Sequence, residues 1–134
     1  MRAVFVDTNV ILDVLLQNEG FWQYSLRIFQ LAELGKVNAY VSASSMTDIF
    51  YIVRKKLTVP VARKAIEKLL ELFLIVEVNG DDLRGAMALP IDDFEDALQA
   101  WSAQKANVET LITRDVDGFA NIGIPVISPA DFPA

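Results

Sequence analysis

The opening Ala3-Val4-Phe5-Val6 constrains the fold more than any other segment. A continuous apolar run suits a strand covered on both faces, the pattern of a parallel sheet held between helical layers. It breaks at once into Asp7-Thr8-Asn9, which opens a helical stretch from Val10 to Leu16. Phe21 to Leu34 carries helical spacing through Leu26, Phe29 and Leu34, and Gly35 supplies a C-terminal stop. Val37 to Val41 predicts a second strand, and Ser42–Ser45 offers caps for a helix to about Lys56. Pro60 suits the first turn of a helix over Val61–Leu72.

Leu74 to Val78 predicts a strand ending at Asn79-Gly80, and Asp81 to Leu89 a short helix stopped at Pro90. Asp92 or Asp93 caps a helix to about Ala106, and Thr110–Thr113 and Pro125–Ile127 read as the last strands. Strands alternate with helices throughout. The expectation is an α/β fold, a three-layer α/β/α sandwich with a mainly parallel central sheet of about five strands. With 134 residues and no repeats or Pro/Gly-rich linkers, a single domain over 1–134 is expected.

Composition narrows the chemistry. Hydrophobic residues at 53% against 22% charged exclude a disordered chain, and no apolar run reaches the ~20 residues of a membrane span. The N-terminus lacks a signal-peptide layout, and a chain without cysteine has the cytoplasm as its expected compartment. There is no cysteine, which removes disulfides, thiolate metal sites and cysteine nucleophiles. There is no histidine either, which removes imidazole bases, imidazole-bound metals and histidine-dependent triads. Hydrolysis would have to rest on carboxylates, hydroxyls, lysine or an oxygen-held metal. The net charge of −6 argues against nucleic acid on its own, but acids gathered around divalent cations present local positive charge.

Ligands of open α/β sheets bind beyond the carboxyl ends of strands, near the point where strand order reverses. Asp7 and Asp115 occupy such ends; Asp48 and Asp96 fall in the expected first turns of helices, three residues after Ser45 and Asp93. Spacing of three puts Asp93 and Asp96 on one helix face. Each acid also has an ordinary reading. Asp7 can cap its helix, Asp48 can complete a capping box with Ser45, and Asp115 can start a turn. Asp92, Asp93, Glu95 and Asp96 suit a helix N-terminal dipole. Four carboxylates at the same end of one sheet tip the balance, because such a cluster needs a neutralising cation. Oxygen-only ligands select Mg²⁺ or Mn²⁺.

Asp7-Thr8-Asn9-Val10-Ile11-Leu12-Asp13 after an apolar strand resembles the opening of PIN-domain nucleases. Ser44-Ser45-Met46-Thr47-Asp48 resembles the segment with their second acid, and Asp93-Phe94-Glu95-Asp96-Ala97-Leu98 the helix with the third. Leu111-Ile112-Thr113-Arg114-Asp115 with Phe119 resembles the fourth. In length the chain is similar to VapC-type toxins of bacterial and archaeal toxin–antitoxin pairs.

The resemblance implies a metal-dependent endoribonuclease hydrolysing RNA phosphodiester bonds with Mg²⁺ or Mn²⁺. It puts the acidic cluster on Asp7, Asp48, Asp96 and Asp115, with Asp93 as a fifth carboxylate. Thr8 and Asn9 become supporting groups and Thr113 a hydroxyl beside the water nucleophile. The family commonly has Glu where this chain has the shorter Asp48, so that helix must approach closer or act through water. Asp117 is a nearby alternative to Asp115. The resemblance also implies a homodimer and an antitoxin seated in a groove of the early helices.

Candidate phosphate-binding bases are Arg54-Lys55-Lys56, Arg63, Lys64, Lys68 and Arg114. The first two groups equally suit a solvated helix face. Arg114, beside the expected site, is the leading RNA contact. Two rival classes stay open. One is a non-catalytic binding module with a degenerate acidic site. The other is phosphoryl transfer through an aspartyl-phosphate, which Asn9, two residues after Asp7, and Ser128-Pro129 disfavour.

Overall fold

The computed structural model describes residues 2–133. β1 (Arg2–Val6) leads into α1 (Thr8–Leu15) and α2 (Trp22–Glu33); β2 (Val37–Ser42) leads into α3 (Ala43–Lys56) and α4 (Val59–Leu72). β3 (Leu74–Val76) is followed by α5 (Gly80–Met87) and α6 (Phe94–Lys105). β4 (Thr110–Ile112) and β5 (Val126–Ile127) finish the sheet, with short 3₁₀ turns at Val116–Phe119 and Pro129–Asp131.

The five strands lie in the order β3-β2-β1-β4-β5 and every pairing is parallel. Val4 lies opposite Ala39 on one side of β1 and Thr110 on the other. From β1 the chain moves outward to β2 and β3, then returns to β4 on the opposite side. Strand order therefore reverses between β1 and β4, where α/β sheets open a crevice.

Alternation along β1 sorts its side chains between two helical layers. Val4 and Val6 join Val41 and Ile112 beneath Ile11, Ile28, Ile49 and Leu69 of α1 to α4. Phe5 joins Leu111, Ala100, Ala103 and Phe119 on the face covered by α6. This is why the opening run has no polar member. Each such side chain stabilises the fold by about 1.5–3 kcal/mol when fully buried.

Element ends follow local chemistry. α2 ends in a Schellman motif, with Gly35 at φ +72° and the Gly35 and Lys36 amides donating to Ala32 and Leu31. β3 stops at Val76 instead of Val78 because its only partner, β2, ends opposite it at Ser42. Ser42 caps α3 by accepting from the Ser44 amide at 3.2 Å. Asp48 consequently lies in the second turn of α3, not the first, and forms no capping box with Ser45. Among the described residues no helix is long and apolar enough to cross a membrane.

Candidate active site

Asp7 stands where β1 hands over to α1, extended at φ −70° and ψ 153°. Its Oδ1 accepts from the Thr8 amide at 2.8 Å, so it does cap α1. The capping reading and the site reading are both satisfied by one carboxylate. Thr113, fully buried beyond β4, donates its hydroxyl to Asp7 Oδ2 at 2.8 Å and accepts from the Asp115 amide at 3.0 Å. From α6, Gln99 Nε2 donates to Asp7 Oδ1 at 2.9 Å. Gln99 is itself held by Thr8 and Ser45, whose hydroxyls lie 2.7 Å apart. A carboxylate offers about four lone-pair positions, so three donors orient Asp7 and leave capacity for a further partner.

Around Asp7 opens a cleft of about 410 Å³. Asp48, Glu95 and Asp96 line it with Thr8 and Asn9, while Leu12, Tyr51 and Ile52 form an apolar side. Desolvation, then the charges of Asp93, Asp7, Asp115 and Glu95, raise the Asp96 pKa to about 6. Glu95 is raised by desolvation and by Asp48, Asp7 and Asp93. The ion pairs among the described residues are Arg84–Asp81, Lys105–Asp82 and Arg114–Asp13, and none touches a cleft acid. Four carboxylates thus share one concavity without a counter-charge.

This donor set suits a divalent cation. All donors are oxygens, and positive charge would offset both the desolvation and the mutual repulsion that raise Asp96. Among the described residues no three His, Cys, Asp or Glu side chains are grouped closely enough to hold a metal ion together. Mg²⁺ asks for less, since it keeps several waters and takes only one or two carboxylates plus substrate phosphate.

The PIN domain family model matches residues 3–117. The chain belongs to the PIN domain family. Ribonuclease VapC1 of Aquifex aeolicus is 24% identical over 136 residues, covering 98% of this chain and 93% of that protein. The crystal structure of VapBC2 from Rickettsia felis bound to promoter DNA has a TM-score of 0.71 at 17% identity, covering 94% of this chain and 98% of that one. A toxin–antitoxin complex from Klebsiella pneumoniae has a TM-score of 0.69 at 23% identity, covering 94% and 97%. At these identities the structural likenesses show the fold alone.

In this PIN domain Asp7, Asp48 and Asp96 line the cleft, and Asn9 does too while accepting from the Arg114 amide at 3.5 Å. Asp93 caps α6 by accepting from the Asp96 amide at 3.0 Å. Asp115 Oδ1 accepts from the Gly118 amide at 3.2 Å. Both sit outside the cleft lining, yet both are charge neighbours of Asp96. Asp117 faces an adjoining concavity with Asp92, Asp93 and Asp96. The Arg114 guanidinium is turned onto buried Asp13, 2.7 Å from its Oδ2, and lies 4.2 Å from the Phe21 ring centroid. That charge is shared with Asp13, and about a third of the side chain stays exposed.

Three participants were not singled out from the sequence. Gln99 follows Asp96 by three, the same helical spacing that pairs Asp93 with Asp96, and is 1% exposed among apolar neighbours. Glu95 was legible only as a favourable dipole charge. Ser45 reads from sequence as a capping residue, whereas its hydroxyl bonds Thr8 and Gln99.

Proposed function

We propose that this chain is a divalent-metal-dependent endoribonuclease, the toxin of a toxin–antitoxin pair. The observation that carries the reading is the unneutralised set of Asp7, Asp48, Glu95 and Asp96 at the reversal point of a parallel sheet, with Asp96 pushed up to about 6. Membership of the PIN domain family and the likeness to ribonuclease VapC1 support it.

Asp7 and Asp96 are the principal cation ligands, and Asp48 and Asp115 complete the set or orient water; Asp93 is a further carboxylate nearby. When bound, Mg²⁺ or Mn²⁺ supplies charge stabilisation to the phosphoryl group and acidifies the attacking water. Thr113 and Gln99 fix the Asp7 oxygens, and Thr8 and Asn9 support the same loop. Arg114 braces the Thr113–Asp115 segment through Asp13, and its one-third-exposed side chain contributes positive charge beside the RNA path.

An apolar groove of about 530 Å³ runs among α1, α2 and α4, lined by Val14, Leu15, Leu26, Phe29, Leu69 and Leu72. It suits an antitoxin segment, and toxin–antitoxin complexes among the structural neighbours support that partner. We assign the protein to the cytoplasm as a homodimer.

The decisive experiment is cleavage of RNA with Mg²⁺ or Mn²⁺, compared with EDTA and with Asp96→Asn. Metal-dependent scission lost in both controls is the expected result. RNA bound but never cut, or cut equally by Asp96→Asn, overturns the assignment.

A further inference from the structure

The acidic side of the cleft accounts for a metal and a phosphate, but not for its apolar side. Tyr51 lies one helical turn beyond Asp48 on α3, lines the cleft, and is 57% exposed. Leaving a ring that size in solvent forgoes much of its burial stabilisation, while the adjacent Phe50 packs against the core. The ring is nevertheless held. The Arg54 guanidinium lies 5.0 Å from its centroid, and Phe50 meets it edge-on at 5.8 Å and 80°. Along one ridge of α3 the order is carboxylate, aromatic ring, guanidinium: Asp48, Tyr51, Arg54.

We infer that Tyr51 and Arg54 form a stacking ledge for an unpaired base of the nucleotide next to the scissile phosphate. The inference rests on the nuclease reading and adds to it how the substrate is gripped. With rises of 1.5 Å per residue, the ring stands about 4.5 Å along the axis from Asp48, within one nucleotide's reach of a phosphate at the acids. Base–aromatic stacking tolerates any sequence because every base has a π face, and Arg adds a cation–π contribution. A base within a duplex has both faces covered by neighbours, so the ledge selects loops, bulges and single strands. Position favours RNA: the ring lines the same cleft as Asp7, Asp48 and Asp96, and Arg54 beside it suits a phosphate backbone.

Two readouts separate this inference from the reading beneath it. The first is steady-state cleavage of a single-stranded oligoribonucleotide. Tyr51→Ala should lower kcat/KM about 5- to 150-fold, carried by KM, whereas Tyr51→Phe stays near the parent. An abasic nucleotide beside the scissile bond should erase the difference between parent and Tyr51→Ala. Arg54→Gln should raise KM and flatten the log–log salt dependence by about 0.7. The second readout is quenching of a 2-aminopurine oligoribonucleotide on binding to the non-cleaving Asp7→Asn protein, which an added Tyr51→Ala should abolish.

Cleavage unaffected by Tyr51→Ala overturns the ledge and leaves the nuclease standing. So does an equal penalty on the abasic substrate, or a Tyr51→Ala effect confined to self-association or antitoxin affinity. Quenching that depends on Tyr51 in a protein that cleaves nothing keeps the ledge and removes the nuclease.

Discussion

Two helix-borne carboxylates on the same side of the sheet show opposite electrostatic treatment. Asp82 of α5 is 5% exposed, and Lys105 Nζ sits 2.9 Å from its Oδ2. The Trp101 indole and the Asn79 amide also donate to it, at 3.0 and 2.9 Å. Those donors hold its pKa at about 2. Asp96 of α6 meets four other acids and no cation, and stands at about 6. Asp13, fully buried, also has a cation against it, the Arg114 guanidinium. The fold supplies cationic partners for Asp82 and Asp13 and none for Asp96, which is the asymmetry that the proposed cation would resolve.

The contrast breaks most visibly at Asp7. Asp7→Asn removes one cleft charge and, if Asp7 holds the proposed cation, should lower cleavage roughly 10³-fold, the kinetic equivalent of several kcal/mol of metal assistance. Calorimetry should show unfolding unchanged or slightly later, because one repulsive charge has gone while Oδ1 still caps α1. A parallel loss of folding would put Asp7 with the structural acids. Asp13→Ala should do the reverse. It strands Arg114 and releases Asn18, costing about 2–3 kcal/mol in chemical denaturation. Cleavage by the folded fraction should stay within about an order of magnitude.

The fold was legible because β1 is apolar from Ala3 to Val6 and a strand with two covered faces admits few architectures. One element end was less so: β3 runs only to Val76, short of Val78, because β2 beside it ends at Ser42. The principal acids were legible as residues after strands, yet their standing depended on tertiary partners. Nothing local distinguishes Asp13, which finds Arg114 101 residues away, from Asp7, which finds no cation. Nothing in the sequence shows that Arg114 is paired, because its partner Asp13 lies on another element. Gln99 follows the spacing rule already used for Asp96, but a polar residue in a helix normally reads as solvent-facing.

Asp115 sits between the two classes, and Gly118 can decide it. A Cβ on Gly118 would collide with the Asp115 carboxyl group, which must swing off the Gly118 amide. Losing that turn contact costs about 1 kcal/mol, and replacing glycine in a permissive backbone returns about 0.4–1. Gly118→Ala should therefore unfold at nearly the parental temperature. If Asp115 serves the cation, cleavage should fall about tenfold, as for other groups that orient a metal. Unchanged cleavage would class Asp115 as a turn former.

The smallest effects, a few degrees in melting temperature, test the comparison through pH. Asp82 titrates below its ordinary 3.8, so the folded chain binds fewer protons than the unfolded one between about pH 4 and 2. Its stabilisation is complete above pH 4 and disappears as pH falls through 2. Asp96 titrates above 3.8, so the folded chain holds its proton more tightly. Its favourable contribution is full below pH 4 and is lost as pH rises through about 6. Without metal, Asp96→Asn should melt with the parent at pH 4 and a few degrees above it at pH 8, the gap kept small by solvent screening. Millimolar Mg²⁺ at pH 8 should raise the parent's melting temperature and leave Asp96→Asn nearly still, since only the native acids bind the ion. A parent whose metal-free stability is flat from pH 4 to 8 would mean that Asp96 carries no uncompensated charge, and the distinction between the two carboxylates would fall with it.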